Sequence, residues 1–266
     1  MLNNLKMKKM KIEFALCLMA IFMGSCGKDA GTTTPTTTTV DVDITSVVQA
    51  KFANSTTNAV TVTISGSNLV IKSDGRPNHK SPYWLIGNPN YEAFQAGHAT
   101  NPAGAIGIQN YTMTIPAKPA AAITHEATSL AAIGMALNGV PIFNDTEGGG
   151  VALNAGTITS FDKAGAHPAQ SQDYHYHVSD FDGTYTTKDD AKLVGFLRDG
   201  FPIYGRKDKD GTYPSNLDAY NGHTAATTEF PNGIYHYHTR NENYLNTGYY
   251  ILKSGSYYGT KGTFTQ

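Results

Sequence analysis

Between residues 133 and 238 the chain repeats itself at a fixed spacing, and this limits its fold more than any other feature. Ile133-Gly134-Met135-Ala136-Leu137-Asn138-Gly139-Val140-Pro141-Ile142-Phe143 returns as Val194-Gly195-Phe196-Leu197-Arg198-Asp199-Gly200-Phe201-Pro202-Ile203-Tyr204. Tyr174-His175-Tyr176-His177 returns as Tyr235-His236-Tyr237-His238 at the same spacing. Phe161-Asp162 with His167 recurs at a slightly shorter spacing as Leu217-Asp218 with His223, so the second copy carries five extra residues between its single histidine and its tetrapeptide. Three blocks in the same order predict an internal duplication, with units at about residues 132–177 and 193–238 packed around a pseudo-twofold axis.

Each copy reads as a strand, a turn, a Pro-Ile-aromatic strand, an acidic residue, a lone histidine and a Tyr/His strand. Asn138-Gly139 and Asp199-Gly200 are hairpin turn signals. Elsewhere, Val40 to Ile44 alternates like a half-buried strand, Val60 to Lys72 reads as a hairpin around Gly66, and Tyr111 to Pro116 as a strand ended by its proline. Only Ala120 to Leu137 has room for a helix, and Gly134 interrupts it. With 27 Gly, 12 Pro and 16 Tyr, the expected fold is mainly β: one loop-rich domain over residues 40–266 with few or no long helices. Sandwich and irregular barrel are not separated by these patterns.

The N-terminus reads as an export signal. Lys6, Lys8, Lys9 and Lys11 precede the apolar run Phe14 to Met23, which is shorter than the ~20 residues of a spanning helix. Gly24-Ser25-Cys26 resembles a lipobox, so residues 1–25 are expected to be removed and Cys26 lipidated, with plain secretion as the alternative. The Thr-rich stretch 26–39 is too poor in apolar residues to pack and reads as a tether. The expected location is the cell envelope, on the outer membrane, a periplasm-facing membrane or the cell surface, with the membrane as partner through the lipid. The two cysteines are Cys17 and Cys26, so the processed chain has no thiol for disulfides. A formal net charge of −1 and the lack of a basic patch argue against nucleic acid.

The two tetrapeptides, the stretches Asn138 to Phe143 and Asp199 to Gly205, and Asp218 with Asn221-Gly222-His223 together resemble the YHYH family of exported proteins. Ser73-Asp74-Gly75-Arg76-Pro77-Asn78-His79 is similar to its entry motif, so the likeness covers most of residues 60–250. The resemblance implies an exported protein and brings no particular reaction with it. Family members often carry cysteines near these strands; this chain has none there, so no thiol chemistry is carried over.

Six of the nine histidines fall in the duplicated unit. On a strand His175 and His177 share one face, as do His236 and His238, giving two imidazoles side by side. Such pairs grip zinc or copper, with His167 and His223 as further ligands and His79 in reserve. Asp162, Asp199 and Asp218 are the candidate partners of the imidazoles' second nitrogens, or acidic ligands. The opposing reading makes the tyrosines core and the histidines mere scaffold. One shared site or two separate ones are both open at this point.

The sequence thus favours a membrane-tethered, extracytoplasmic metal-binding protein using zinc or copper. A second candidate is an adhesive or carbohydrate-binding surface lipoprotein stacking a glycan or other small molecule on Trp84 or on the tyrosines from Tyr244 to Tyr258. A third is a metal-dependent hydrolase or oxidase, with Asp162 or Asp199 as base. The chain has no Walker loop, no Gly-x-Ser-x-Gly and no His-Glu-x-x-His.

Overall fold

The computed structural model describes residues 41–52, 60–101, 104–178, 190–252 and 255–266. The leader 1–25, Cys26 and the tether 26–39 lie outside the described residues. The fold is mainly β, as expected. Its strands are β1 (Thr61–Ser65), β2 (Asn68–Ser73), β3 (Tyr111–Pro116), β4 (Gly134–Ala136), β5 (Pro141–Ile142), β6 (Thr146–Glu147), β7 (Val151–Ala152), β8 (Ala166–Pro168), β9 (Tyr174–Tyr176), β10 (Leu193–Leu197), β11 (Pro202–Tyr204), β12 (Gly222–Ala225), β13 (Ile234–His238) and β14 (Thr263–Thr265). Among the described residues two short α-helices accompany them, α1 (Thr45–Phe52) and α2 (Ala155–Ile158).

An antiparallel sheet runs β1-β2-β3-β14. Its inner face follows from alternation: Leu69 and Ile71 on β2 and Tyr111, Met113 and Ile115 on β3 are buried. They share one core with Met135, Phe196 and Ile203 of the second sheet and with Val48 and Phe52 of α1.

That second sheet has eight strands in the order β12-β13-β11-β10-β4-β5-β9-β8, which matches outward from its centre. The central pair is antiparallel, with Gly195 opposite Ala136, Phe196 opposite Met135 and Leu197 opposite Gly134. On each side a hairpin follows, then a parallel neighbour: Ile142 pairs with Tyr176 on one side and, at the repeat spacing, Ile203 with Tyr237 on the other. The hairpin turns also match. Gly139 and Gly200 both have φ +86°, a left-handed conformation that closes a three-residue loop and that glycine adopts without a Cβ penalty.

Two sequence expectations fail. Val40 to Ile44 is not a strand among its described residues. Instead the Asp43 carboxylate accepts from the Thr45 amide at 2.9 Å, and the chain turns into α1. Ala120 to Leu137 forms no helix. Its mostly exposed first part makes single bridges to Gly259 and Ser256, while its buried end supplies β4.

Two candidate metal centres

The Tyr/His alternation places the two side-chain types on opposite faces of β9 and β13. Hairpin register then brings in the lone histidines: His167 on β8 stands directly opposite His175, and His223 on β12 directly opposite His236. Three imidazoles therefore gather at each end of the sheet, His167, His175 and His177 at one and His223, His236 and His238 at the other. Four strands stand between β9 and β13, which at strand spacing is roughly 24 Å. The alternative of a single shared site is thereby excluded.

At the second centre, His223 Nε2 lies 3.2 Å from His236 Nε2 and 3.2 Å from His238 Nε2. Asp208 Oδ1 completes the group at 3.1, 3.7 and 3.5 Å from the same three nitrogens, in that order. At the first centre, His175 Nε2 and His177 Nε2 are 3.1 Å apart. Glu147 Oε1 lies 3.3 Å from His167 Nε2 and 3.4 Å from His177 Nε2. Tetrahedral zinc with ligands at 2.0–2.1 Å separates neighbouring donor atoms by about 3.3 Å, so both groups have the spacing of a coordination shell.

The opposite ring nitrogens fix the tautomers. Nδ1 of His175, His177, His236 and His238 faces the carbonyl oxygens of Asp173, Asn144, Ile234 and Gly205 at 2.8, 2.6, 3.0 and 2.8 Å. Carbonyls only accept, so each Nδ1 carries the hydrogen and each Nε2 presents a bare lone pair. His223 Nδ1 likewise faces Asn216 Oδ1 at 2.9 Å. His167 Nδ1 stands between two groups, Ser160 Oγ at 2.7 Å, a hydroxyl that spends its own hydrogen on the Thr157 carbonyl, and the Asn101 amide nitrogen at 3.1 Å, so these partners do not fix its tautomer. Lone pairs converging at 3.1–3.2 Å repel unless a cation lies between them. Nδ1 donation to a carbonyl is the usual way a metal-ligating histidine is oriented.

Burial also keeps His175, His177, His236 and His238 neutral, the form that binds metal. It holds His175 well below the usual imidazole range, and neighbouring imidazoles push the same way. His177 is lowered to about 3 and His236 to about 4, again chiefly by burial, and His238 is lowered too. Glu147 is held below the ordinary glutamate value: burial would raise it, but the nearby imidazoles of His167 and His177 outweigh that.

All six histidines proposed from sequence thus occupy the two centres. Asp162, Asp199 and Asp218 do not orient imidazoles, as had been expected; they hold the tyrosines on the other face. Tyr174 donates to Asp162 at 2.6 Å, Tyr237 to Asp199, and Tyr235 to Asp218 at 3.0 Å. The physical reason is alternation: an acid beneath the Tyr/His strand meets the tyrosine face, while carbonyls at the start of the strand and of adjoining loops meet the imidazoles. The same placement removes Asp162 and Asp199 as bases at a metal. His79 is also separate, bonded to Lys80 O and Tyr176 Oη, both at 2.8 Å. Trp84 is half-buried against the core and donates to the His79 carbonyl at 3.0 Å, and Tyr258 stacks on Tyr235 with centroids 3.6 Å apart.

Glu147 and Asp208 were missed, though a signal was present: they stand at the same spacing as the two tetrapeptides. So do the residues whose carbonyls accept from the imidazoles, Asn144 and Gly205, and Asp173 and Ile234, while Ser160 and Asn216 keep the shorter spacing of His167 and His223.

A family model described as YHYH protein matches residues 112–215, in agreement with the resemblance read from the sequence. The matched stretch includes Glu147, His167, His175, His177 and Asp208, and stops short of His223, His236 and His238. No curated protein and no solved structure matches the chain.

Proposed function

We propose that this is an extracytoplasmic metal-binding protein holding one zinc or copper ion in each of two separate centres, and tethered to a cell-envelope membrane through Cys26. The observation that carries the reading is the convergence of bare imidazole nitrogens on Asp208, with every second ring nitrogen already committed as a donor. Imidazole and carboxylate donors without thiolate suit zinc and copper and disfavour calcium, which takes oxygen ligands. The tether rests on the sequence of residues 1–39 alone.

The test is metal analysis of protein made without a histidine tag. Two equivalents per chain are expected, with His175→Asn and His236→Asn each losing one. Absence of zinc or copper after refolding with metal, together with an unchanged melting temperature, would sink the reading. Metabolic labelling with a fatty acid, lost in Cys26→Ser, tests the anchor; an unlabelled, released protein removes it.

A further inference from the structure

The two centres are not equivalent. In the second, Asp208 Oδ1 approaches all three imidazoles within 3.7 Å, so four protein atoms surround one point. In the first, Glu147 Oε1 approaches only His167 and His177, and no ion pair joins it to His175 among the described residues. That oxygen is buried and makes no hydrogen bond. Its residue ends β6 and leads into the exposed Gly148-Gly149-Gly150 connection to β7, whereas Asp208 sits in a tight loop whose amide donates to Thr212 O at 2.9 Å.

We propose that the His167–His175–His177 centre keeps an exchangeable coordination position for water or a small monodentate anion, and that Glu147 accepts a hydrogen bond from the bound ligand instead of binding the metal. The inference rests on the two-centre reading above. An off-centre carboxylate beside three converging imidazoles, with one acceptor lacking a donor, is the arrangement of a site that holds and polarises water. The Asp208 centre, with four protein donors, is closed. The glutamate's extra methylene and its place on an open hairpin let it stand beside the metal, while the shorter aspartate is held in its loop.

Cobalt substitution tests this, after uptake of two equivalents has been measured in the full-length protein. Azide titration is expected to change the visible absorption of one cobalt per chain. The response should survive His236→Asn, which removes the closed centre, and vanish in His177→Asn. Glu147→Gln should retain both cobalts and bind azide at least several-fold more tightly, because a negative charge beside the anion has been removed. A response that appears only in Glu147→Gln would show that Glu147 is itself the fourth ligand and overturn the proposal, as would equal responses from both centres or none with both filled. Failure to take up cobalt at all would instead sink the metal-binding reading on which the inference stands.

Discussion

Metal-free protein is expected to lose stability through its histidines when moved from pH 7 to pH 5. Burial holds His177 at about 3 and His236 at about 4, against about 6.5 in an unfolded chain. Between those values the unfolded chain takes up the proton and the folded one does not. The contribution is therefore complete above about pH 6.5 and drains away as pH falls. At pH 5 each group costs about 2 kcal/mol, so the pair costs about 4 kcal/mol. Asp199 has the opposite sign: burial raises it to about 6, the folded carboxyl is protonated first, and the same pH step returns about 1 kcal/mol. These three groups alone give a net loss of about 3 kcal/mol, which corresponds to a fall in Tm of roughly 6–12 °C at this chain length. Urea melts of chelator-treated protein at the two pH values measure it, with His177→Asn/His236→Asn as reference. The asparagine amide can replace Nδ1 toward Asn144 O and Ile234 O but does not titrate, so contributions of groups away from the two centres, Asp199 among them, cancel. Wild type should lose about 4 kcal/mol more than the variant over this pH step; equal losses would refute the assignment of buried neutral histidines.

The sheet centre supplies another test. A Cβ on Gly195 would lie 2.2 Å from Met135 O and 2.8 Å from Ala136 Cα, so Gly195→Ala should cost about 3 kcal/mol in urea melts. Gly148→Ala, which meets nothing within 4 Å, should stay within about 0.5 kcal/mol of wild type; similar losses in both would refute the close-contact argument. Tyr237→Phe removes the hydroxyl that lowers the Asp199 pKa. It should destabilise the fold by about 1–3 kcal/mol and raise the Asp199 titration midpoint in carbon-13 NMR; an unchanged midpoint counts against the contact. Asn216→Ala and Ser160→Ala each remove an Nδ1 partner. Each should weaken one metal equivalent by about 10–100-fold and spare the other, as competition with a chromogenic chelator would show; weakening of both equivalents would contradict independent centres.

How far the sequence could be read depended on how local the determining physics was. Strand alternation is a two-residue rule, and it correctly placed His175 beside His177, His236 beside His238, and β2 and β3 over the core. The lone histidines were legible because hairpin register carries them across from His175 and His236. The carboxylates depended on long-range placement. Glu147 lies on a hairpin of two-residue strands and Asp208 in an irregular loop, and neither has a periodicity that announces a ligand. The Asp-Gly dipeptide drew attention to Asp199 as a polar turn residue, but which face its carboxylate meets is decided by packing under β13.

The five extra residues that separate His223 from His236, compared with His167 and His175, show what the architecture holds fixed. His167 precedes His175 by eight residues and His223 precedes His236 by thirteen, yet His167 faces His175 and His223 faces His236 in the same register. The longer connection folds back on itself through the Thr227 amide to Phe230 O at 3.1 Å, and Tyr204 Oη holds it to the body at Thr227 Oγ1, 2.7 Å away. Extra length at a hairpin tip costs only slowly growing loop entropy, well under ~1 kcal/mol here, whereas one residue inserted within a strand would turn a histidine to the tyrosine face. Length is therefore tolerated at the tip, while the spacing within each tetrapeptide, and from each tetrapeptide back to Glu147 and Asn144 or Asp208 and Gly205, relates the groups that converge on one point. A metal shell requires that convergence; a scaffold of packed tyrosines would not require the carboxylate or the carbonyls on the histidine face at all.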